Sequence, residues 1–265
     1  MPAGWPRVIN PIDRDALRHQ VRNAVPFPSV VFDDFLDRAF ARSVVDAFPT
    51  FGEASRLGRT FRSINERRKV QVTDAETFAE PVKRLNEALA APGFLDVLSH
   101  AFSIPNLLAD DQLVGGGLHQ TGPRGRLDVH VDFNLIEERG LHRRLNILVY
   151  FNEVWNPAWG GQIELWNRDV TECVRSYDPV FNRCLIFETS EISFHGVPEV
   201  RCPDDVVRRS FAAYYYTATA PDGWDGTRHT TVFRARPDEA VKGRLMRVQQ
   251  VRDRAKETAK SLLGR

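Results

Sequence analysis

RLDVHVDFN, residues 126–134, alternates residue by residue. Read as a strand, it turns Leu127, Val129, Val131 and Phe133 one way and Asp128, His130, Asp132 and Asn134 the other. His130 and Asp132 then project to the same side, close enough to grip one small object. The plain alternative is an amphipathic strand with one wet face. The rest of the chain has to choose between them.

Outward from this stretch, residues 111 to 218 hold short β-rich runs: DQLVGGGLHQ, RRLNILVYFNEV, GGQIELW, RCLIFETS, SFHGVPEV and RRSFAAYYYTA. Turn formers such as TGPRG, NPAWGG and SYDPVFN separate most of them. Short strands with irregular loops predict an antiparallel sandwich or jelly roll, not βαβ units. GGGLHQTGPRG does not fit GxGxxG before a helix, which argues against dinucleotide binding.

The flanks read differently. In FDDFLDRAFARSVVDAFP, Phe35, Leu36, Phe40, Val44, Val45 and Phe48 recur at helical spacing, and Pro49 ends the run. DAETFAEPVKRLNEALAAPGFLDVLSHAF predicts one or two more helices, with Asp74 as a cap and a break at Ala91-Pro92-Gly93. Between them TFRSINERRKVQV suits an extended segment whose basic cluster, Arg62 to Lys69, reads most simply as a solvated face, with a substrate-facing role as the alternative. From Pro237 a stripe of Val241, Leu245, Val248, Val251, Ala255, Ala259 and Leu262 predicts a C-terminal helix. The expected organisation is one integrated domain: a helical region (1–110), a β core (111–218) and a C-terminal extension with a helix (219–265).

Composition narrows the function classes. A net charge of +1 supplies no global field for nucleic acid or an anionic membrane. Cys173, Cys184 and Cys202 are an odd number without CxxC spacing, which disfavours a disulfide framework or structural zinc and suits a reducing cytoplasm. The N-terminus lacks an apolar signal region, and no apolar run approaches membrane-spanning length.

Two further clues sit downstream. His195, in ISFHGVPEV, lies in a short apolar run before Gly196. With His130 and Asp132 it makes two imidazoles and one carboxylate, a set that takes one face of a six-coordinate metal and leaves three positions open. In VVRRSFAAYYYT, Arg208 and Ser210 share a strand face, while Arg209 lies opposite with Phe211. A guanidinium beside a hydroxyl can hold a carboxylate.

HxD, a distal His and then Arg-x-Ser before an aromatic strand resemble the iron(II)- and 2-oxoglutarate-dependent oxygenases, most closely the prolyl 4-hydroxylase branch. The resemblance covers roughly residues 111–218, and the helical lead-in before them is similar too. It implies a mainly β fold with flanking helices around a double-stranded β-helix, a jelly-roll or cupin-like core. It implies His130, Asp132 and His195 as iron ligands, Arg208 on the distal carboxylate of 2-oxoglutarate with Ser210 and Tyr150 assisting, and Ile163, after the glycine pair of WGGQIELW, as a wall. Relatives often carry a tyrosine on the cosubstrate in the strand before HxD. This chain has His119 and Gln120 there, and either could replace that contact.

The implied reaction is hydroxylation of an unactivated C–H bond with Fe(II) as cofactor; 2-oxoglutarate and O₂ are consumed, and succinate and CO₂ are the coproducts. Desaturation or ring closure begins with the same hydrogen abstraction. The implied substrate is a small molecule, an amino acid or a peptidyl, including prolyl, residue. No appended peptide-binding repeat or basic groove is visible, which suits a small or carrier-delivered substrate. The Trp155 and Trp159 loop and HTTVFRARP (229–237) read as packing, with a part in closing the pocket as the alternative. Two other classes stay open: a cupin-type metal enzyme that does not use 2-oxoglutarate, and a non-catalytic jelly-roll binding module.

Overall fold

Among the described residues five helices of the N-terminal zone alternate with the first strands: α1 (Arg14–Arg22), α2 (Arg38–Asp46), α3 (Phe51–Leu57), α4 (Glu80–Leu89) and α5 (Pro92–Phe102). The structure, a computed structural model, describes residues 4–239 together with Lys242, Gly243 and Met246. The apolar stripe predicted for a C-terminal helix lies outside the described residues. Local chemistry accounts for the helix starts. Asp13 and Asp37 accept hydrogen bonds from the first-turn amides of α1 and α2, and Thr50 with Glu53 forms a reciprocal capping box on α3. Asp74 caps a 3₁₀ turn at Ala75–Thr77, not α4 itself, and Pro92 opens α5 at the predicted break.

The strands are β1 (Ser29–Phe32), β2 (Arg59–Arg62), β3 (Glu66–Val72), β4 (Leu108–Ala109), β5 (Gly117–Val131), β6 (Leu135–Ile136) and β7 (Leu141–Tyr150). After them come β8 (Ile163–Trp166), β9 (Cys173–Tyr177), β10 (Cys184–Glu188), β11 (His195–Val197), β12 (Arg208–Thr217) and β13 (Val232–Arg234). They pair antiparallel in the order β1-β10-β7-β12-β5-β11-β8-β9, with β3 and β13 on the outer edge of β5 and β2 on β3. This is the mainly β, jelly-roll core with flanking helices that the strand pattern predicted. Four strands of the N-terminal zone, β1 to β4, join the sheet as well.

TGPRG is not a turn between two strands. β5 runs through it: Gly117–Thr121 pairs with β12, and Leu127–His130 pairs with β11. Between them Arg124 has φ +62° and its amide donates to Val200 O. The glycines and the irregular register let one chain leave one wall of the sheet and enter the other. β9 went unpredicted because CVRSY has no clear alternation; pairing with β8 makes it a strand.

Alternation on β7 and β12 then separates the two faces. Leu145, Ile147, Val149, Phe211 and Ala213 pack against the buried faces of α2, α4 and α5. Asn146, Leu148, Arg208, Ser210 and Tyr214 face a cavity on the other side. Phe211 is fully buried and meets Phe78 edge-on at 6.0 Å. Phe211→Ala is expected to lower stability by about 3–5 kcal/mol, read from urea unfolding, because the rigid sheet and helices cannot close the void.

Candidate active site

A cavity of about 360 Å³ opens between the two walls of the curled sheet. β5 and β11 bring His130 directly opposite His195, with ring centroids 4.3 Å apart. Asp132 follows the end of β5. Its Oδ1 lies 3.6 Å from His130 Nε2, and its Oδ2 lies 3.5 Å from His195 Nε2. One ligand atom from each residue falls within 4.8 Å of the others, spacing that fits a single metal ion.

The imidazoles are oriented by backbone. His130 Nδ1 lies 2.8 Å from Asp128 O, and His195 Nδ1 lies 2.9 Å from Ser193 O. A carbonyl only accepts, so each Nδ1 carries a proton and each Nε2 is the ring nitrogen left to face a ligand. Burial, reinforced by the neighbouring His130, pulls the His195 pKa down to about 3. Burial alone would raise the Asp132 pKa, but the Arg143 guanidinium beside it holds the carboxyl well below its ordinary value. His195 and Asp132 are therefore deprotonated and ready for a hard or borderline divalent cation.

The strict alternation read across RLDVHVDFN fails at two points. The register shift opposite His195 and Val197 puts Leu127 on the cavity with His130. Asp128 instead pairs with Arg126 and with Lys242 beneath the C-terminal segment. Beyond the strand end Phe133 also lines the cavity, whereas Asn134 bonds Glu191 and Thr227 O.

At the far side of the cavity Arg208 is 5% exposed, and its Nε donates to Gly161 O at 2.7 Å. Its guanidinium carbon lies 5.0 Å from the Tyr150 ring centre. The Tyr150 hydroxyl is buried without a hydrogen-bond partner among the described residues. Burial pushes that phenol up to about 12, so it stays a donor. Cross-strand register sets Tyr150, Ser210 and His119 in one row over β7, β12 and β5. Ile163, Ser210 and His119 all line the cavity. The Gly160-Gly161 pair has φ +71° and +73°, and a Cβ on Gly160 would stand 2.3 Å from Glu199 O.

Gln120 is the correction. It is one residue out of phase with His119 on β5, so its side chain leaves the cavity and its Nε2 donates to Pro49 O. Of the two candidates, His119 alone reaches the cavity. Burial and then the nearby Lys69 hold it well below its ordinary pKa, hence neutral.

Five further residues that the sequence did not single out contribute to the site. Arg143 and Asn146 approach Asp132 from β7. β13, from HTTVFRARP, pairs with β5 and sets Phe233 against His130, ring centres 5.4 Å apart. Phe61 and Lys69 of the β2–β3 hairpin also line the cavity, so the basic cluster is only partly a solvated face; Arg62 and Arg68 are its exposed part. The Trp155–Trp159 pair packs in a satellite cluster with Val200 and Cys202, as expected for loop packing.

Residues 116–216 match the 2OG-Fe(II) oxygenase superfamily. The prolyl 3,4-dihydroxylase OGFOD1 of Ostreococcus tauri is 27% identical over 225 residues, covering 75% of this chain and 40% of that protein. The mouse prolyl 3-hydroxylase OGFOD1 is 31% identical over 78 residues, 28% of this chain and 14% of its own. The chain thus spans well under half the length of the curated relatives it matches. Among solved structures, a Pseudomonas putida prolyl-4-hydroxylase superposes with TM-score 0.55 at 16% identity, covering 77% of this chain and 98% of that one. A Trichoplax adhaerens prolyl hydroxylase, solved with a peptide fragment of the hypoxia inducible factor oxygen degradation domain, gives TM-score 0.55 at 18% identity over 77% and 88%. At such identities the superpositions establish the fold alone, a double-stranded β-helix. Over residues 116–216 the chain is similar to the 2OG-Fe(II) oxygenase superfamily, and its fold is similar to that of the prolyl 4-hydroxylases.

Proposed function

We propose that this chain is an Fe(II)- and 2-oxoglutarate-dependent dioxygenase that hydroxylates an unactivated C–H bond of a peptidyl or small-molecule substrate, prolyl peptides being the first class to test. The observation that carries the reading is the presence, in one cavity, of a His-Asp-His cluster and a buried arginine, Arg208, that has no carboxylate partner among the described residues. A metal enzyme without 2-oxoglutarate, or a silent binding module, leaves that guanidinium's burial unexplained.

In this reading His130, Asp132 and His195 hold the iron. Bound there, Fe(II) couples the oxidative decarboxylation of 2-oxoglutarate by O₂ to oxygen insertion into the substrate, with succinate and CO₂ as coproducts. Arg208 receives the distal carboxylate of 2-oxoglutarate on the guanidinium nitrogens that Gly161 does not use. Tyr150 donates its retained proton to the same carboxylate, Ser210 assists, and Ile163 walls the cosubstrate. Neutral His119 supplies the remaining polar contact beside Ser210. Phe61, Phe133 and Phe233 exclude water around the reacting carbon. Lys69, paired with Glu66, and Arg59 at the mouth place charge where a substrate enters. Tyr150→Phe is expected to raise the KM for 2-oxoglutarate about tenfold, one hydrogen bond to a charged group, with kcat largely kept.

No helix among the described residues is long and apolar enough to cross a membrane. The cysteines, free in the structure, support our placing the chain in a reducing cytoplasm. We also treat the whole chain as one integrated domain. The test is succinate formation and O₂ uptake with Fe(II), 2-oxoglutarate and a panel of proline-containing peptides and free amino acids. Substrate-stimulated, stoichiometric succinate supports the reading. Turnover independent of 2-oxoglutarate would sink it.

A further inference from the structure

Asp132 has two oxygens, yet a facial ligand set leaves three positions open only when the carboxylate spends one of them on the metal. Oδ2 is already committed. It accepts from Asn146 Nδ2 at 2.7 Å and lies 3.2 Å from Arg143 Nη2. Among the described residues the nearest ionic partner of Oδ1 is His130 Nε2 at 3.6 Å, too far for a hydrogen bond.

The two β7 residues cannot easily release Oδ2. Arg143 is 3% exposed, its Nε donates to Asn146 Oδ1 at 2.9 Å, and this fixes which way the Asn146 amide points. Its guanidinium carbon lies 3.6 Å from the centre of the Tyr214 ring and 4.7 Å from that of Phe133. Asp132 is the only carboxylate paired with Arg143 among the described residues, so swinging away would strand a buried cation.

We infer that Arg143 and Asn146 are positioning residues that reserve Asp132 Oδ2 and confine the carboxylate to a single metal bond through Oδ1. The inference rests on the proposed function, because it assigns these residues to keeping a coordination position free for 2-oxoglutarate. Without them the carboxylate rotates until both oxygens face the ion. The metal is still held, but one position is lost. The signature is therefore weakened cosubstrate binding with retained metal binding, which a role in holding β7 to β5 would not produce.

The experiment uses the full chain with Co(II) as an oxygen-stable probe, whose visible absorption reports coordination number. Wild type, Asn146→Leu and Arg143→Met are titrated first with Co(II) and then with 2-oxoglutarate, with thermal melting as the folding control. In Asn146→Leu the dissociation constant for 2-oxoglutarate is expected to rise about tenfold or more, with an altered Co(II) spectrum before cosubstrate is added. Co(II) affinity is expected to change far less. Arg143→Met is expected to do the same; if it does not fold, Asn146→Leu alone decides. Wild-type spectra and 2-oxoglutarate affinity in the variants would overturn the inference. So would loss of Co(II) binding with no change in cosubstrate affinity. If wild type itself shows no spectral response to 2-oxoglutarate, the proposed function fails instead.

Discussion

Metal-free protein given Fe(II) and 2-oxoglutarate without oxygen is expected to develop the weak visible charge-transfer band of a chelated 2-oxo acid, and His130→Ala is expected to abolish it. Turnover should fall at least about a thousandfold, since loss of groups that merely support a ligand already costs about 10- to 100-fold. The reason is geometric. His130 and His195 face each other across β5 and β11, each with Nδ1 tied to a carbonyl two residues earlier. No third imidazole among the described residues joins that cluster to replace one of them. Alanine also removes a ring packed on Phe233, so the melting temperature must be recorded beside the band. A folded His130→Ala protein with a wild-type band would remove His130 from the ligand set.

Arg208→Ala should leave metal binding nearly intact and raise the KM for 2-oxoglutarate about a hundredfold or more. Truncating one partner of a buried, hydrogen-bonded charge pair costs about 2–5 kcal/mol, and each 1.4 kcal/mol is tenfold. Burial lowers the Arg208 pKa, a sign that the free guanidinium sits in an unfavourable environment that a carboxylate relieves. The variant should consequently melt no lower than wild type without 2-oxoglutarate and gain less on its addition. Arg208→Lys should recover only part of the loss, because a lysine cannot donate both to Gly161 O and in a fork to the cosubstrate. A KM unchanged within twofold in Arg208→Ala would show that the distal carboxylate binds elsewhere.

Much of this site could be read before any fold was known, because its chemistry lies in residue types held at strand spacing. HVD, His195 and the Arg208-x-Ser210 spacing in RRS need only alternation and a donor inventory to suggest a metal and a carboxylate. The helix starts were legible for a similar reason, since caps and prolines act within a few residues.

Other features depended on long-range register. Whether His119 or Gln120 met the cavity turned on the phase of β5 against β12, where a one-residue slip exchanges the faces. TGPRG contains every signal of a turn, yet pairing with β3, β12 and β11 on either side holds it within one strand. Arg143 and Asn146 looked like ordinary strand residues. Only the curl of the sheet brings β7 over the end of β5 and sets them on Asp132.

Local sequence thus carried the identity of the reactive groups, because side-chain chemistry and strand period are properties of a few neighbouring residues. Which groups share the cavity, and what holds the carboxylate still, came from pairings between residues far apart in the chain. Those pairings are settled by the packing of the whole sheet against its helices, and no short window of residues encodes them.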